Sequence, residues 1–319
     1  MRVKILVGLL CMCVSTPAMA LNIVVSNDDG LTSNVKALYE ELKAKGHDVI
    51  VSVPCNNQSG MGGAVLIQDR VEPLKTNCRN NAARAGAAGT GPMEAPVPSR
   101  DFYYVNGTPV MATMYGIDIL AQKRWGRTPD LVLSGPNEGQ NVGPLINGSG
   151  TVSNAQFAAF RGVPAIAISG GVDTAGDDTL DNPKSKQIAD LCLVLLDRLQ
   201  HRSGGGRLLP PGTALNVNFP DDLTRARWQV ARIGSYSGYS ASFVEKADGR
   251  EAEESSRTTG SDPAVARIIF SRNNAPPSND QALDEAVVFK TAISVSIMRV
   301  GFEGDASSKN WLSGVMGGL

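Results

Sequence analysis

The beginning of the chain contains a unit that strongly restricts the possible folds. Residues 21–26, LNIVVS, form a short apolar run typical of a buried strand, and residues 47–54, HDVIVSVP, form a second one. Between these runs, residues 31–46 carry apolar side chains at helical spacing: Val35, Leu38, Tyr39 and Leu42. The order strand, helix, strand predicts a βαβ unit with parallel strands and a right-handed crossover.

Strand-like and helix-like segments continue to alternate after this unit. The further predicted strands cover residues 102–107, 129–135, 163–170 and 213–220. The further predicted helices cover residues 109–123, 152–161 and 183–202. This alternation predicts an α/β fold with a Rossmann-like, doubly wound and mostly parallel sheet. In the last of these helices the residues expected to share the buried face are Ile188, Leu191, Cys192, Leu195 and Leu199.

Three segments break the alternation. Residues 76–100 are rich in Ala, Gly, Pro and Asn and predict an elaborated surface loop, whereas the charged residues 245–263 predict an exposed hairpin tip or a mobile loop. Residues 284–302 alternate in polarity and predict a strand. We therefore expect a Rossmann-like core over residues 21–225 and a β-rich C-terminal extension over residues 226–319.

The first twenty residues have the pattern of a secretory signal peptide. Arg2 and Lys4 precede an apolar stretch over residues 5–14, and residues 18–20, Ala-Met-Ala, give a small-x-small cleavage site. The apolar stretch is too short to span a bilayer. We expect cleavage after Ala20 and a secreted or periplasmic protein that has no membrane contact after cleavage.

The charge of the mature chain indicates what kinds of partner to expect. Loss of Arg2 and Lys4 leaves 28 basic residues against 31 acidic ones, a net charge of about −3. The sequence also contains no basic block, so bulk nucleic acid is not expected as a partner.

Three cysteines remain after the predicted cleavage. In an oxidising compartment a disulfide between Cys55 and Cys78 would close a modest loop. Cys192 lies in an apolar helical pattern and is expected to be a buried thiol. The spacing of these cysteines fits no zinc motif.

Two adjacent carboxylates, Asp28 and Asp29, directly follow the first apolar run. Ligands of open α/β sheets bind at the carboxyl ends of the strands. Gly30 allows the chain to turn there, so that the two side chains can converge on one cation. The same four residues, NDDG, also fit an ordinary acidic turn with solvated carboxylates.

Two later loops favour a shared site. Residues 54–63 and 134–154 each follow a predicted strand and are dense in Gly, Asn and Ser, although each alone also fits a solvated glycine turn. Within the second loop, residues 149–154 open a helix whose N-terminus favours phosphate.

The two histidines do not belong to this group of loops. His47 begins the second strand and His201 ends the long helix, so a Ser-His-Asp triad and a histidine-ligated zinc site are disfavoured. The remaining carboxylate, hydroxyl and amide oxygens suit Mg²⁺ or Mn²⁺.

Several motifs occur in an order that resembles one known family. They are VSNDDG, NQSG, NGTP, PDLVLSGPNEGQNVG, SGTVSNA, VPAIAIS and ALNVNFP. Together they resemble the stationary-phase survival protein SurE family, specifically over residues 22–170 and as far as residue 220. The resemblance implies a Rossmann-like core, metal-dependent hydrolysis of nucleoside monophosphates, and a C-terminal extension exchanged between the subunits of a homodimer or homotetramer.

The resemblance also implies roles for individual residues. One divalent cation per subunit is expected on Asp28, Asp29, Ser59 and Asn137. The expected phosphate pocket contains Asn27, Asn141, Ser149, Gly150 and Thr151. Asp28 and Asp29 would also be the catalytic residues, and Asp28 could help to activate the attacking water instead of only holding the metal.

This chain departs from the family pattern near the expected pocket. Gly148 stands where the family usually has an aromatic residue, Ala64 lies near a usual hydroxyl residue, and Pro136 replaces an apolar residue. Met111 and Ala112 stand where the family often has Asp-Cys. The lost aromatic bears on base recognition and therefore on nucleotide preference.

The sequence thus predicts a metal-dependent phosphomonoesterase, a 5′-nucleotidase or acid phosphatase that uses a metal-activated water. One alternative is a hydrolase of other phosphoesters or of polyphosphate. A second is a non-catalytic periplasmic protein that binds nucleotides or phosphate on the same loops.

Overall fold

The computed structural model describes residues 19–94, 96–98, 100–174, 179–224, 226–244, 266–301 and 306–316. The predicted signal peptide, except for Met19 and Ala20, and the whole of the charged 245–263 segment lie outside these ranges. Within the described ranges, no helix combines the length and the apolar character needed to cross a bilayer.

A nine-stranded sheet organises the described residues. The strands of the chain are β1 (Asn22–Ser26), β2 (Asp48–Pro54), β3 (Thr90–Pro92), β4 (Phe102–Val105), β5 (Leu131–Glu138), β6 (Ala165–Gly170), β7 (Thr213–Asn218), β8 (Trp228–Ala231), β9 (Tyr239–Val244), β10 (Arg267–Arg272) and β11 (Ile293–Arg299). The large sheet has the order β3-β4-β2-β1-β5-β6-β7-β11-β8, and β9 and β10 form a separate antiparallel pair. Six strands that are adjacent in the sheet, β4, β2, β1, β5, β6 and β7, are parallel. This confirms the predicted α/β class with a mostly parallel sheet.

Helices cover both faces of this sheet. They are α1 (Ser33–Ala44), α2 (Pro109–Tyr115), α3 (Ala121–Trp125), α4 (Gly150–Phe160), α5 (Pro183–Ser203), α6 (Glu285–Val288) and α7 (Ala306–Met316). A π-helical turn, Gly116–Leu120, joins α2 to α3, so the predicted 109–123 helix is present with one widened turn. Apolar residues of α1 and α5 belong to the core on one face, and those of α4 and the π-helical turn belong to the core on the other.

Helix α1 has the buried face that its spacing predicts. The residues Val35, Leu38, Tyr39 and Leu42 are all buried. Thr32 caps the helix by accepting a hydrogen bond from the amide of Val35. Each such apolar side chain stabilises the fold by about 1.5–3 kcal/mol.

Helix α5 is rotated relative to its prediction. The spacing predicts a buried face that includes Leu191, Leu195 and Leu199, but these three side chains are only partly buried. The buried residues are Ser185, Ile188, Ala189, Cys192, Leu193, Leu196 and Gln200. A polar contact accounts for this rotation, because the Ser185 hydroxyl donates to Asn34 Oδ1 (2.6 Å) and lies 2.9 Å from the Ser33 hydroxyl. These bonds hold Ser185 against α1 and turn the apolar face with it.

The prediction of a strand over residues 284–302 is wrong in its first part. That part forms α6, and only Ile293–Arg299 is extended. The buried Asp284 carboxylate accepts hydrogen bonds from Arg232 Nε (2.6 Å) and from the amides of Ser235 and Tyr236 (2.9 Å each). These contacts fix residue 284 as the start of a helical turn.

The segment 76–100 is more than a surface loop. It contains a 3₁₀ turn at Arg79–Asn81 and the edge strand β3. The side chains of Ala82, Ala83 and Met93 are buried in the core. The prediction of a surface loop is therefore wrong at these positions, whereas most of the described residues of the segment lie outside helices and strands and most are partly or fully exposed.

The predicted disulfide is present. Cys55, at the end of β2, is bonded to Cys78, which directly precedes the 3₁₀ turn. Cys192 is a buried free thiol, as predicted, and burial raises the pKa of this thiol.

Replacing both half-cystines, Cys55→Ser with Cys78→Ser, should lower the free energy of unfolding by about 3 kcal/mol, because the closed loop restricts the unfolded chain. In a domain of this size the melting temperature should fall by roughly 6–12 °C, measured by circular dichroism without reductant. A thiol reductant should shift the wild type but not the double variant. Equal melting temperatures of the two proteins would contradict this expectation.

Candidate functional site

The candidate site lies at the carboxyl ends of three neighbouring strands. Asp28 and Asp29 follow β1, the loop with Asn57 follows β2, and Asn137 lies near the end of β5. The N-terminus of α4 completes the site, since Thr151 contacts Asp28. The structure therefore brings together the first, second and third loops that the sequence singled out.

The turn after β1 is closed by Asn27. Its Nδ2 donates to the Gly30 carbonyl (2.7 Å), and its Oδ1 accepts from the Gly30 amide (3.1 Å). Gly30 has φ +86°, and a Cβ on it would lie 3.1 Å from the Pro54 carbonyl oxygen, so glycine is required. Both polar groups of the Asn27 side chain are thus engaged in the turn. Its predicted contact with phosphate stays a prediction.

Asp28 is 3% exposed and faces the start of α4. Its Oδ1 accepts a hydrogen bond of 2.6 Å from the Thr151 hydroxyl. Burial raises the pKa of Asp28, while the hydrogen bonds from Thr151 and from the amides of Gly150 and Thr151 oppose that shift. A Cβ on Gly150 would lie 2.7 Å from the Asp28 Cβ, so the carboxylate lies directly against the helix N-terminus.

Asp29 is 2% exposed and is held from both sides. Asn57 Nδ2 donates to its Oδ1 (3.0 Å), and the Glu138 amide donates to its Oδ2 (3.2 Å). Burial raises the pKa of Asp29 to about 7, with further contributions from the negative charges of Asp28 and Glu138. The guanidinium of Arg79 acts in the opposite direction.

Asn137 has a free acceptor. Its Nδ2 donates to the Gly139 carbonyl (2.7 Å), whereas its buried Oδ1 has no hydrogen-bond partner among the described residues. The register of β5 with β6 shifts between Ser134 and Asn137, and such an irregularity redirects side chains at a strand end. A buried amide oxygen without a donor suits a cation ligand.

Ser59 shares the loop of Asn57, and both residues are exposed. Its amide donates to Asn57 Oδ1 (2.8 Å), and the neighbouring Gln58 amide donates to the Asp28 carbonyl (2.7 Å). The loop is thus fixed beside the carboxylates, while the role of the Ser59 hydroxyl stays a prediction.

The predicted phosphate residues divide into two groups. Ser149 caps α4 by accepting from the Val152 amide (3.1 Å), and Gly150 and Thr151 begin that helix. Asn141 lies nearer the ends of β6 and β7, where its Nδ2 donates to the Ser169 hydroxyl (3.0 Å). Within the first group, Thr151 bonds to Asp28 and Gly150 lies against it.

Sequence reasoning missed three residues of this site: Asn57, Arg79 and Glu138. Asn57 and Glu138 lie within two residues of the predicted ligands Ser59 and Asn137, in CNNQSG and SGPNEG. This proximity in sequence could have identified them. Arg79 could have been found only through the disulfide, because it follows Cys78.

The donor set fits a hard divalent cation. Among the described residues, no three His, Cys, Asp or Glu side chains lie close enough to form a metal cluster. Two buried carboxylates and the free amide oxygen of Asn137 remain, and oxygen donors of this kind bind Mg²⁺ or Mn²⁺. The raised pKa values of both aspartates indicate that their charge lacks full compensation from the protein alone.

The pKa of Asp29 predicts how the stability of the metal-free protein depends on pH. Its folded-state pKa of about 7 exceeds its ordinary value of 3.8, so between about pH 4 and pH 7 the folded chain binds more protons. The free energy of unfolding therefore falls as the pH rises through this window. Asp29→Asn should remove this loss. The free energy of unfolding of the variant, relative to that of the wild type, should therefore be higher at pH 8 than at pH 5 by on the order of 2 kcal/mol.

Urea unfolding with a chelator at pH 5 and pH 8 measures this difference. Asp118→Asn is the control, because Asp118 is an exposed partner of Arg161. An Asp29→Asn effect of the same size at both pH values would contradict the expectation.

Gly150→Ala should weaken Mn²⁺ binding by about tenfold or more, because the new methyl group would overlap Asp28 Cβ and Pro109 Cγ (2.6 Å). Gly148→Ala is a matched control in the same loop, since its Cβ would have no neighbour within 4 Å. Isothermal titration with Mn²⁺ compares the two. Equal affinities would show that Asp28 is not the group that receives the cation.

Comparison with known proteins agrees with this geometry. The family model described as "Survival protein SurE" matches residues 23–239, more than half of the chain. An acid phosphatase of Yarrowia lipolytica is 34% identical over 62% of this chain and 56% of its own length. The 5′-nucleotidase SurE 1 of Thermus thermophilus is 36% identical over 63% of this chain and 66% of its own length. The chain thus matches somewhat less than two thirds of either relative.

A solved structure supports the fold. The SurE protein of Aquifex aeolicus superposes with a TM-score of 0.65, covering 92% of this chain and 99% of that one, at 24% identity. At this identity the likeness shows the fold alone. The family match and the fold agree with the resemblance carried by the sequence motifs, and the chain belongs to the SurE survival protein family.

Proposed function

We propose that this protein is a metal-dependent phosphomonoesterase that hydrolyses nucleoside monophosphates, as a 5′-nucleotidase. The observation that carries the proposal is the pair of adjacent, buried aspartates beside the unpartnered Oδ1 of Asn137 and the N-terminus of α4. A cation site next to a helix N-terminus places positive potential on two sides of a phosphate group.

Asp28, Asp29 and Asn137 would hold the cation, and Ser59 would join them from the loop after β2. When bound, the divalent cation would act as a Lewis acid and lower the pKa of a water molecule. The protein keeps both carboxylates in place through Thr151 on Asp28 and Asn57 on Asp29. These contacts fix the donor atoms before substrate arrives.

The start of α4 would bind the phosphoryl oxygens. The Thr151 hydroxyl already donates to Asp28, so its contribution to phosphate would come from the backbone amide. The Ser149 oxygen accepts from the Val152 amide, which leaves the hydroxyl proton of Ser149 free to donate. Amides and hydroxyls at this position would stabilise the negative charge that develops on the phosphoryl oxygens.

The names of the relatives support this class of reaction. The Thermus thermophilus protein is called a 5′-nucleotidase, and the Yarrowia lipolytica protein is called an acid phosphatase. Both names describe hydrolysis of a phosphate monoester. The second name, together with Gly148 in place of the family's aromatic residue, favours a broader phosphoester or polyphosphate hydrolase as the alternative.

We further propose that the mature protein is secreted or periplasmic. The signal-peptide pattern of residues 1–20 and the disulfide between Cys55 and Cys78 support this location. A homodimer or homotetramer is proposed from the family resemblance. The exposed side chains of Phe243, Phe270 and Trp311 in the C-terminal extension would be covered by such an assembly.

An assay of the mature chain tests the proposed activity. Nucleoside 5′- and 3′-monophosphates, p-nitrophenyl phosphate and polyphosphate are supplied with Mg²⁺, Mn²⁺ or chelator. We expect metal-dependent phosphate release, fastest with a nucleoside monophosphate, and a loss of at least about 100-fold in kcat for Asp28→Asn, since both cation binding and charge placement fail.

Asp118→Asn is the control and should retain full activity, because it lies at an exposed ion pair with Arg161. Absence of turnover on every phosphoester would refute the enzyme proposal and favour the non-catalytic binding protein. Turnover that Asp28→Asn leaves unchanged would refute the site but not the reaction.

A further inference from the structure

Arg79 contacts two residues of the site, the proposed cation ligand Asp29 at its backbone carbonyl and Glu138 at its carboxylate. Its Nη1 donates to the Asp29 carbonyl (3.2 Å), and its Nη2 donates to Glu138 Oε1 (2.9 Å). The Glu138 side chain is 8% exposed and that of Arg79 is 22% exposed, so the ion pair is largely shielded from solvent. An ion pair in such a position is screened less than a surface pair.

The segment around the disulfide positions the Arg79 guanidinium beside the site. The Arg79 amide donates to the Cys55 carbonyl (2.9 Å), and Cys78 is bonded to Cys55. The next residue, Asn80, donates from Nδ2 to the Leu31 carbonyl (3.0 Å). Residues 78–80 are therefore fixed on both the first and the second loop of the site.

Glu138 is a potential third carboxylate for the cation site, although among the described residues its side chain, bonded to Arg79, forms no three-carboxylate cluster with Asp28 and Asp29. Its backbone amide is bonded to Asp29 Oδ2, and it directly follows the proposed ligand Asn137. Three carboxylates bind a divalent cation more tightly than two, but they also repel the negative charge of a phosphate ester. The ion pair with Arg79 removes most of this third charge.

We propose that Arg79 is a positioning residue that neutralises Glu138, keeps it from acting as a third cation ligand, and thereby allows an anionic phosphate ester to enter. This inference rests on the proposed phosphomonoesterase function. It assigns a role to a residue outside the predicted ligand set and to the disulfide-closed segment that carries it.

Charge-changing variants test the proposal. In Arg79→Met, Mn²⁺ should bind about tenfold more tightly, and the KM for p-nitrophenyl phosphate should rise about tenfold, while kcat changes by less than about threefold. In Glu138→Gln, which retains the backbone bond to Asp29, Mn²⁺ should bind about three- to tenfold more weakly. The double variant should recover most of the wild-type Mn²⁺ affinity and KM, because the site regains the charge balance of the wild type.

Two further variants separate charge from structure. Arg79→Lys keeps the positive charge and should stay close to the wild type in KM. Arg84→Met is the matched control in the same segment, because Arg84 pairs with Glu94 at an exposed position, and it should leave both quantities unchanged. Mn²⁺ affinity is measured by isothermal titration, and folding by circular dichroism.

Unchanged Mn²⁺ affinity and KM in Arg79→Met would overturn the proposal. So would a double variant that is no better than Arg79→Met, since a purely structural role gives no rescue by removing Glu138. If Arg79→Met does not fold, the weaker Mn²⁺ binding expected of Glu138→Gln tests the proposal in its place. A wild type without phosphatase activity would refute the proposed function, and the Mn²⁺ titrations would still test the charge balance.

Discussion

The burial of two adjacent carboxylates at the end of β1 is the constraint on which the rest of this structure depends. Placing Asp28 and Asp29 side by side, each almost without solvent, is unfavourable unless other groups compensate their charge. The compensating donors come from four separate parts of the chain: Thr151 at the start of α4, Asn57 after β2, the Glu138 amide at the end of β5, and Arg79 beside the disulfide. These four segments are distant in sequence. They come within hydrogen-bonding distance of Asp28 or Asp29 only when the sheet is folded. The residual rise of both pKa values indicates that the compensation is incomplete without a cation.

The strand order explains why the carboxylates lie there. From β1 the chain proceeds to β2 and β4 on one side, whereas β5, β6 and β7 extend the sheet on the other side. The crevice of a doubly wound sheet opens where the connections diverge in this way, at the carboxyl ends of the strands. Because α1 and α5 cover one face and α2 and α4 cover the other, the loops that leave β1 and β5 border this crevice. The position of the site therefore follows from the topology, and the identity of its ligands follows from the residues at the strand ends.

The sequence predicts features that depend on neighbouring residues better than it predicts contacts between residues that are distant in sequence. Periodicity predicts the strands, the long helices and the loops at their ends, because each of these depends on residues close in sequence. The errors concern contacts between distant residues. Ser185 fixes the rotation of α5 by bonding to Asn34, and Asp284 converts a predicted strand into a helical turn by bonding to Arg232. Arg79 reaches Glu138 across 59 residues of sequence. Such polar pairs have no repeating pattern, so the rotation of α5 could not be predicted, and Arg79 could be connected with the site only through the predicted disulfide of its neighbour Cys78.

The C-terminal extension also contributes to the site, through a buried carboxylate that no motif indicates. Strand β11 pairs with β7, and α6 places Glu285 beneath the loop that precedes α4. Its Oε1 accepts from the Gly143 amide (2.9 Å) and its Oε2 accepts from Asn216 Nδ2 (3.0 Å), which also donates to the Asn141 carbonyl (2.9 Å). A Cβ on Gly143 would lie 2.4 Å from the Tyr236 carbonyl oxygen, so this loop is packed tightly against the extension. Since the loop leads directly to Ser149 and Gly150, its conformation sets where the N-terminus of α4 begins. The extension thus supports the phosphate side of the proposed site, while the disulfide-closed segment supports the cation side.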